Sequence, residues 1–294
     1  MKQPVFEGLA TAIVTPFKNG TIDIPTFEKL LDAQLAANVD AIVVCGTTGE
    51  SSTLSSQEQL RLIAHAMQYT AGRCKIIAGT GSNDTAHAIE MSRAASSMGV
   101  NAVLIVTPYY NKCTQAGLVA HYSAIADSIS CPVICYNVPS RTGLDMKVET
   151  YQALSKHPNI QGVKEAGGSP AKIAKTIAVC GDEFYLWSGN DDEAVCAMAL
   201  GAKGLISVLS NVRPKKALAM VRACQKNDFR TAGRLQRELL EIIQALFCEV
   251  NPIPVKKALE LEGFPVGLPR LPLTELSEGN LPRLKAALAN LPDA

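Results

Sequence analysis

The chain has 294 residues, 47% of them apolar and 19% charged, enough apolar sequence to bury a substantial core and too much to stay disordered. Twenty-eight Lys and Arg stand against 27 Asp and Glu, and that near-neutral balance gives no field that would gather nucleic acid or an anionic membrane surface. The nine cysteines form no C-x-x-C pair; an odd, scattered set predicts buried, reduced thiols and a cytoplasmic protein. Residues 1–8 lack the apolar stretch and small-residue cleavage site of an export signal, and no uninterrupted apolar run is long enough to span a bilayer.

Short β-branched apolar runs recur along the chain at a strand-plus-helix spacing. They fall at 10–14, 41–45, 75–78, 102–107, 132–137, 160–166, 184–188 and 204–209. Helix-period segments lie between them at 24–38, 56–71, 84–98, 116–129, 170–179 and 192–200. Continuously apolar strands, each followed by a helix, need a parallel sheet covered on both faces, and eight such units predict a closed (β/α)8 barrel. A doubly wound open sheet would place a Gly-rich dinucleotide turn after the first strand, and residues 14–20 have no G-x-G-x-x-G. Beyond the eighth run only helical segments occur, at 214–225, 229–247, 252–261 and 281–289, with Pro265, Pro269 and Pro272 marking an extended connection. The pattern predicts a barrel over 1–228 and a small helical subdomain over 229–294.

Barrels of this kind carry their chemistry at the C-terminal ends of the strands, so the residues directly after each apolar run matter most. The second run leads into Gly46-Thr-Thr-Gly-Glu-Ser51, the fourth into Thr107-Pro-Tyr-Tyr-Asn111 and the fifth into Tyr136-Asn-Val-Pro-Ser-Arg-Thr-Gly143. The seventh ends in Ser188-Gly-Asn-Asp191 and the eighth holds Ser207. Five strand ends thus aim hydroxyls and backbone amides at one face.

Lys164 lies inside the sixth run, and alternation places it on the side of Gly162 and Ala166, the small-residue side suited to a crowded interior. It is either an interior lysine paired with a carboxylate, a strand-end lysine reaching solvent, or an amine whose desolvation favours the neutral form that attacks carbonyls. Tyr110 and Tyr136 are either amphipathic core edges or hydroxyl acids and bases; Tyr136, one strand from Lys164, suits proton transfer at an imine. Ser55 and Glu58 form a capping box for the next helix, while Gly46 and Gly49 let the backbone amides at Thr47 and Thr48 approach a ligand carboxylate. Arg141 is either solvated or a bidentate carboxylate receptor. Four scattered histidines supply no zinc set, there is no Walker loop, and Lys215-Lys216 and Lys256-Lys257 read as solvated helix faces.

Taken together, Gly46-Thr-Thr-Gly-Glu-Ser51, Thr107-Pro-Tyr-Tyr-Asn111, Tyr136-Asn-Val-Pro-Ser-Arg-Thr-Gly143, Val163-Lys-Glu-Ala166 and Asn251-Pro-Ile-Pro-Val-Lys256 resemble the dihydrodipicolinate synthases, within the pyruvate-dependent class I aldolases that include N-acetylneuraminate lyase. The likeness covers nearly the whole chain. It implies that Lys164 forms a Schiff base with pyruvate and that Tyr136, Thr47 and Tyr110 relay protons, Tyr110 reaching in from a neighbouring subunit of a homotetramer built from two tight dimers. Thr48 would hold the pyruvate carboxylate, Gly189 and the backbone of Ile206 would line the pocket, and Arg141 would receive the carboxylate of L-aspartate 4-semialdehyde. The implied reaction is the first committed step of diaminopimelate and lysine biosynthesis, and it needs no cofactor or metal because the imine is the electron sink. Sialic acid lyases and 2-keto-3-deoxy sugar acid aldolases typically lack the Ser-Arg-Thr-Gly continuation, so another Schiff-base enzyme acting on a 2-keto sugar acid is the second expectation, and a catalytically silent keto-acid sensor the third.

The resemblance also implies a lysine-inhibition site, at positions matching Ser52, Asn83, His87 and Tyr109. His87 stands where lysine-inhibited members have a glutamate, and Ser56 and Gln59 stand where histidines are expected. Without that carboxylate the ammonium of lysine loses its counter-charge, so feedback by lysine is expected to be weak or absent.

Overall fold

A computed structural model describes residues 2–167 and 169–291. Met1 and 292–294, the outer ends of the two expected units, lie outside the described residues. Eight parallel strands close into a barrel in which every strand pairs with its neighbours in sequence and the last pairs with the first. They are β1 (Gly8–Ala12), β2 (Ala41–Val44), β3 (Lys75–Gly79), β4 (Ala102–Val106), β5 (Val133–Asn137), β6 (Ile160–Glu165), β7 (Tyr185–Ser188) and β8 (Gly204–Ser207). Each falls within or overlaps one of the eight apolar runs, and the protein is a (β/α)8 barrel.

Around the strands lie α1 (Ile24–Ala36), α2 (Ser56–Thr70), α3 (Thr85–Ser97), α4 (Gln115–Asp127), α5 (Val148–Ser155), α6 (Pro170–Cys180), α7 (Ala194–Ala199) and α8 (Pro214–Gln225). Alternation along each strand divides the apolar residues into two cores. Ala10, Ala41, Val43, Ile77, Leu104, Ile134, Trp187 and Ile206 pack inside the ring. Leu9, Ile42, Val103, Val133, Val163 and Leu205 face outward into a layer shared with the helices. Trp187 stacks on Phe6 at 5.3 Å and donates its Nε1–H to the Phe6 carbonyl, which plugs the N-terminal end. The interior is filled and the open space lies at the other end.

Three further helices, α9 (Phe229–Leu246), α10 (Ile253–Leu261) and α11 (Leu281–Ala289), pack on the barrel. Leu239, Ile242, Leu246, Val255, Leu259, Leu284 and Leu288 join the same outer core as the barrel helices.

Two elements differ from the pattern expected of the sequence. Helix α5 is eight residues long and buries only Thr150, Tyr151 and Leu154, too few anchors to display a period. A two-stranded hairpin pairs Phe17–Lys18 with Thr21–Ile22 around Asn19-Gly20, the Asn-Gly signal being present but flanked by strands of two residues. The capping box is present as expected: Ser55 accepts from the Glu58 amide at 3.2 Å and Glu58 accepts from the Ser55 amide at 2.9 Å.

Two groups with large pKa shifts contribute most to acid sensitivity. His121 on α4 is buried, with Nδ1 bonded to Thr85 Oγ1 at 2.9 Å. Burial holds its pKa down at about 4, against an ordinary value of 6.5. Between those values the unfolded chain binds the proton and the folded one does not, so stability falls as pH drops through that window. Hydrogen bonds from Arg270 hold Glu58 down at about 2, against an ordinary 4.5, so its stabilising contribution is lost in a second, lower window as pH falls from 4.5 to 2. We expect urea midpoints to fall between pH 7 and 4 and to fall less in His121→Gln, whereas equal slopes would contradict the assignment.

Candidate active site

The register of β5, β6 and β7 builds the site. Tyr136 pairs with Lys164, and Lys164 pairs with Trp187, so all three side chains point into the ring at adjacent positions. Lys164 is 6% exposed, and its Nζ sits over the Tyr136 ring at 4.3 Å from the centroid.

The neighbouring glycines make room for this amine. A Cβ on Gly162 would lie 1.9 Å from the Tyr185 carbonyl oxygen, so no larger residue fits two positions before the lysine. At Gly189 a methyl would lie 2.7 Å from Ala166 Cβ and 3.1 Å from Lys164 Cε, space that the lysine stem needs.

The expectation of a carboxylate partner for Lys164 fails among the described residues, where it makes no ion pair. Both nearby acids are occupied. Glu165 points outward, accepting from Tyr151 Oη at 2.6 Å and Asn137 Nδ2 at 2.8 Å. Asp191, fully buried, accepts from Ser207 Oγ at 2.5 Å and from the amides of Val208 and Leu209 at 3.0 and 3.1 Å. Burial pushes the Asp191 carboxyl up, and those three donors together with the charge of Lys164 oppose the rise.

A cavity of about 220 Å³ opens above the amine, lined by Thr47, Thr48, Tyr136, Arg141, Lys164, Gly189 and Asn251 among others. The loop after β2 supplies the two threonines, turning through left-handed Cys45 and Glu50. Thr48 Oγ1 accepts from Asn251 Nδ2 at 2.9 Å. Arg141, on the single helical turn Pro139–Thr142, is exposed at the mouth, and its Nη2 donates to the Asn251 carbonyl at 3.1 Å. Ile206 is buried in the inner core on β8. Tyr110 is outside the cavity: it has φ of 67° and is 90% exposed. One chain therefore gathers Lys164, Tyr136, Thr47, Thr48, Arg141 and Gly189 around a single space and leaves Tyr110 projecting into solvent.

The model of the dihydrodipicolinate synthetase family matches residues 5–291. The chain belongs to that family. It is 50% identical over 275 residues to the 4-hydroxy-tetrahydrodipicolinate synthase of Exiguobacterium sibiricum, covering 93% of this chain and 94% of that one. The dihydrodipicolinate synthase structure from Bacillus anthracis superposes with a TM-score of 0.95 at 41% identity, covering 99% of this chain and all of the other. The Acinetobacter baumannii enzyme, solved in complex with pyruvate, superposes with a TM-score of 0.94 at 42% identity, covering 97% and 98%.

This dihydrodipicolinate synthetase family chain has a second cavity beside the first, of about 350 Å³, which shares Thr47, Val138 and Arg141 with it. Ser52, His87 and Tyr109 line it, together with Gln59 and Ser82, and among the described residues no carboxylate does. Asn83 is not in the lining; its carbonyl accepts from Asn111 Nδ2 at 2.9 Å.

Three further groups at the site have no role that the sequence alone assigns. Asn251 joins Thr48 to Arg141. Phe247 stands half-exposed at the mouth of the first cavity. Glu50 and Lys256 form a fully buried ion pair at 2.8 Å, with Lys256 Nζ also donating to the Thr15 and Leu268 carbonyls and lying over the Phe17 ring. The pair corrects the expectation that Lys256 belongs to a solvated helix face. Burial pulls the Lys256 ammonium down, and Glu50 opposes it. Both residues stand in the motifs that carry the family resemblance, but nothing local to either segment signals the other.

Proposed function

We propose that Lys164 is the Schiff-base nucleophile of this enzyme, a lyase that condenses pyruvate with L-aspartate 4-semialdehyde as a 4-hydroxy-tetrahydrodipicolinate synthase. The observation that carries the assignment is an amine in no ion pair among the described residues, buried in the ring against a tyrosine and facing the cavity. Lys164 Nζ attacks the pyruvate ketone carbon, and loss of water leaves an iminium. Its positive charge acidifies the methyl group, and proton loss gives the enamine. The enamine carbon then bonds to the aldehyde carbon of the second substrate, whose oxygen takes up a proton. The α-amino group of the adduct attacks the iminium carbon, loses a proton and displaces Lys164, which releases the cyclic product.

Tyr136 is the proton carrier closest to this chemistry, with Thr47 and a Tyr110 from a second copy of the chain completing the relay. Thr48 and its amide hold the pyruvate carboxylate, and Arg141 at the mouth receives that of the semialdehyde. Gly189 and the Ile206 backbone flank the imine. The projection of Tyr110 away from its own cavity supports a homo-oligomer, and the family resemblance implies a tetramer of two tight dimers. The cytoplasmic location, the barrel unit over 1–228 and the helical subdomain over 229–294 belong to the same proposal.

The test is a coupled assay of pyruvate with L-aspartate 4-semialdehyde against pyruvate with sugar aldehydes. Turnover of the semialdehyde is expected; preference for a sugar aldehyde would move the chain to the sugar-acid aldolases. Because no carboxylate lines the second cavity to pair with an ammonium, lysine is expected to inhibit weakly or not at all. A micromolar inhibition constant in a lysine titration would refute that expectation.

A further inference from the structure

Among the described residues only three buried side-chain atoms lack a hydrogen-bond partner: His121 Nε2, Gln161 Oε1 and Asn251 Oδ1. Of these residues only Asn251 lines the cavity above Lys164. An unpaired carbonyl oxygen in a residue 4% exposed is costly unless a ligand satisfies it. The rest of Asn251 is engaged with both expected carboxylate anchors, its Nδ2 donating to Thr48 and its backbone oxygen accepting from Arg141. The one atom of its side chain left without a partner is an acceptor, on the residue that joins the two anchors.

We propose that Asn251 Oδ1 receives the α-amino group of the semialdehyde and thereby selects an α-amino aldehyde over its desamino counterpart. The proposal rests on the synthase reading of the site. In an α-amino acid the carboxylate and the amine share one carbon, so a residue bonded to the carboxylate's receptor is placed to meet the amine. The chemistry of the acceptor also fits. A carboxylate at this position would hold the amine as an ammonium, whereas a neutral amide orients it and leaves it free to lose the proton that ring closure requires. Asn251 is then a specificity residue for the second substrate rather than for pyruvate.

The experiment compares KM for L-aspartate 4-semialdehyde with the inhibition constant of succinate semialdehyde, which lacks only the amine, in wild type, Asn251→Ala and Asn251→Asp. Borohydride trapping of pyruvate reports that each variant still forms the imine. In the alanine variant the KM should rise on the order of tenfold or more while the succinate semialdehyde constant moves far less, because only the aminated ligand loses a hydrogen bond. Aspartate, which keeps an acceptor, should retain the selectivity. Equal weakening of both ligands in the alanine variant, or no change in either, overturns the proposal. Where that variant does not trap pyruvate, Asn251→Val, which fills more of the space and likewise carries no acceptor, supplies the same ratio. Failure of wild type to turn over the semialdehyde would instead sink the synthase reading itself.

Discussion

Lys164→Ala and Lys164→Arg each lower kcat with pyruvate and L-aspartate 4-semialdehyde by roughly a thousandfold or more. The arginine variant is the more informative of the two. A guanidinium keeps the positive charge and much of the stem, but it does not give up its proton and offers no nucleophilic nitrogen. If the lysine served only as a fixed cation, arginine would restore a large part of the rate. If it attacks the ketone, arginine is as inert as alanine. A single methyl added at Gly189 would already lie 3.1 Å from the lysine Cε, so the larger head group crowds the same place and a crystal structure or a binding measurement should accompany the kinetics. Steady-state assays under saturating pyruvate settle the point, and retention of more than a few per cent of wild-type kcat by either variant contradicts it.

Glu50→Gln should be the most destabilising single change outside the inner barrel, at about 3–5 kcal/mol, because it leaves the buried Lys256 ammonium without its counter-charge. Glu50 is tied in at both oxygens, to Lys256 at 2.8 Å and to the Arg270 amide at 2.8 Å. The pair therefore joins the loop that carries Thr47 and Thr48 to the helical segment beyond residue 250, and activity should fall along with stability. Replacing both members, Glu50→Gln with Lys256→Met, should recover most of the lost stability, since an uncharged pair of similar volume avoids the unpaired charge. Denaturant unfolding of the two single variants and the double variant checks this. Additive losses in the double variant would contradict it.

Much of this arrangement is legible in the sequence because barrel strands carry a simple code. The run from Ile160 to Glu165 is apolar except at Gln161 and its C-terminal end, and alternation alone puts Lys164 with Gly162 and Ala166, the side on which the structure has it. Polar strand ends locate the open face for the same reason. The contacts that join distant segments could not be read. Asn251 meets Thr48 from 203 positions away and Lys256 meets Glu50 from 206, and neither segment carries a period or spacing that announces its partner. Tyr110 illustrates a different limit. Within one chain it is a left-handed, solvent-exposed residue outside the cavity, and its proposed role at the amine requires a second copy of the chain. Helix α5 and the Asn19-Gly20 hairpin escaped because two or three anchors do not make a pattern.

The most direct test of the central claim is to incubate the protein with pyruvate, reduce with sodium borohydride and map the adduct by mass spectrometry. A single pyruvate-derived addition on Lys164, blocked in Lys164→Arg, is the predicted result. An adduct on another lysine, or full turnover of both substrates with no adduct at all, would show that the chemistry does not run through this amine.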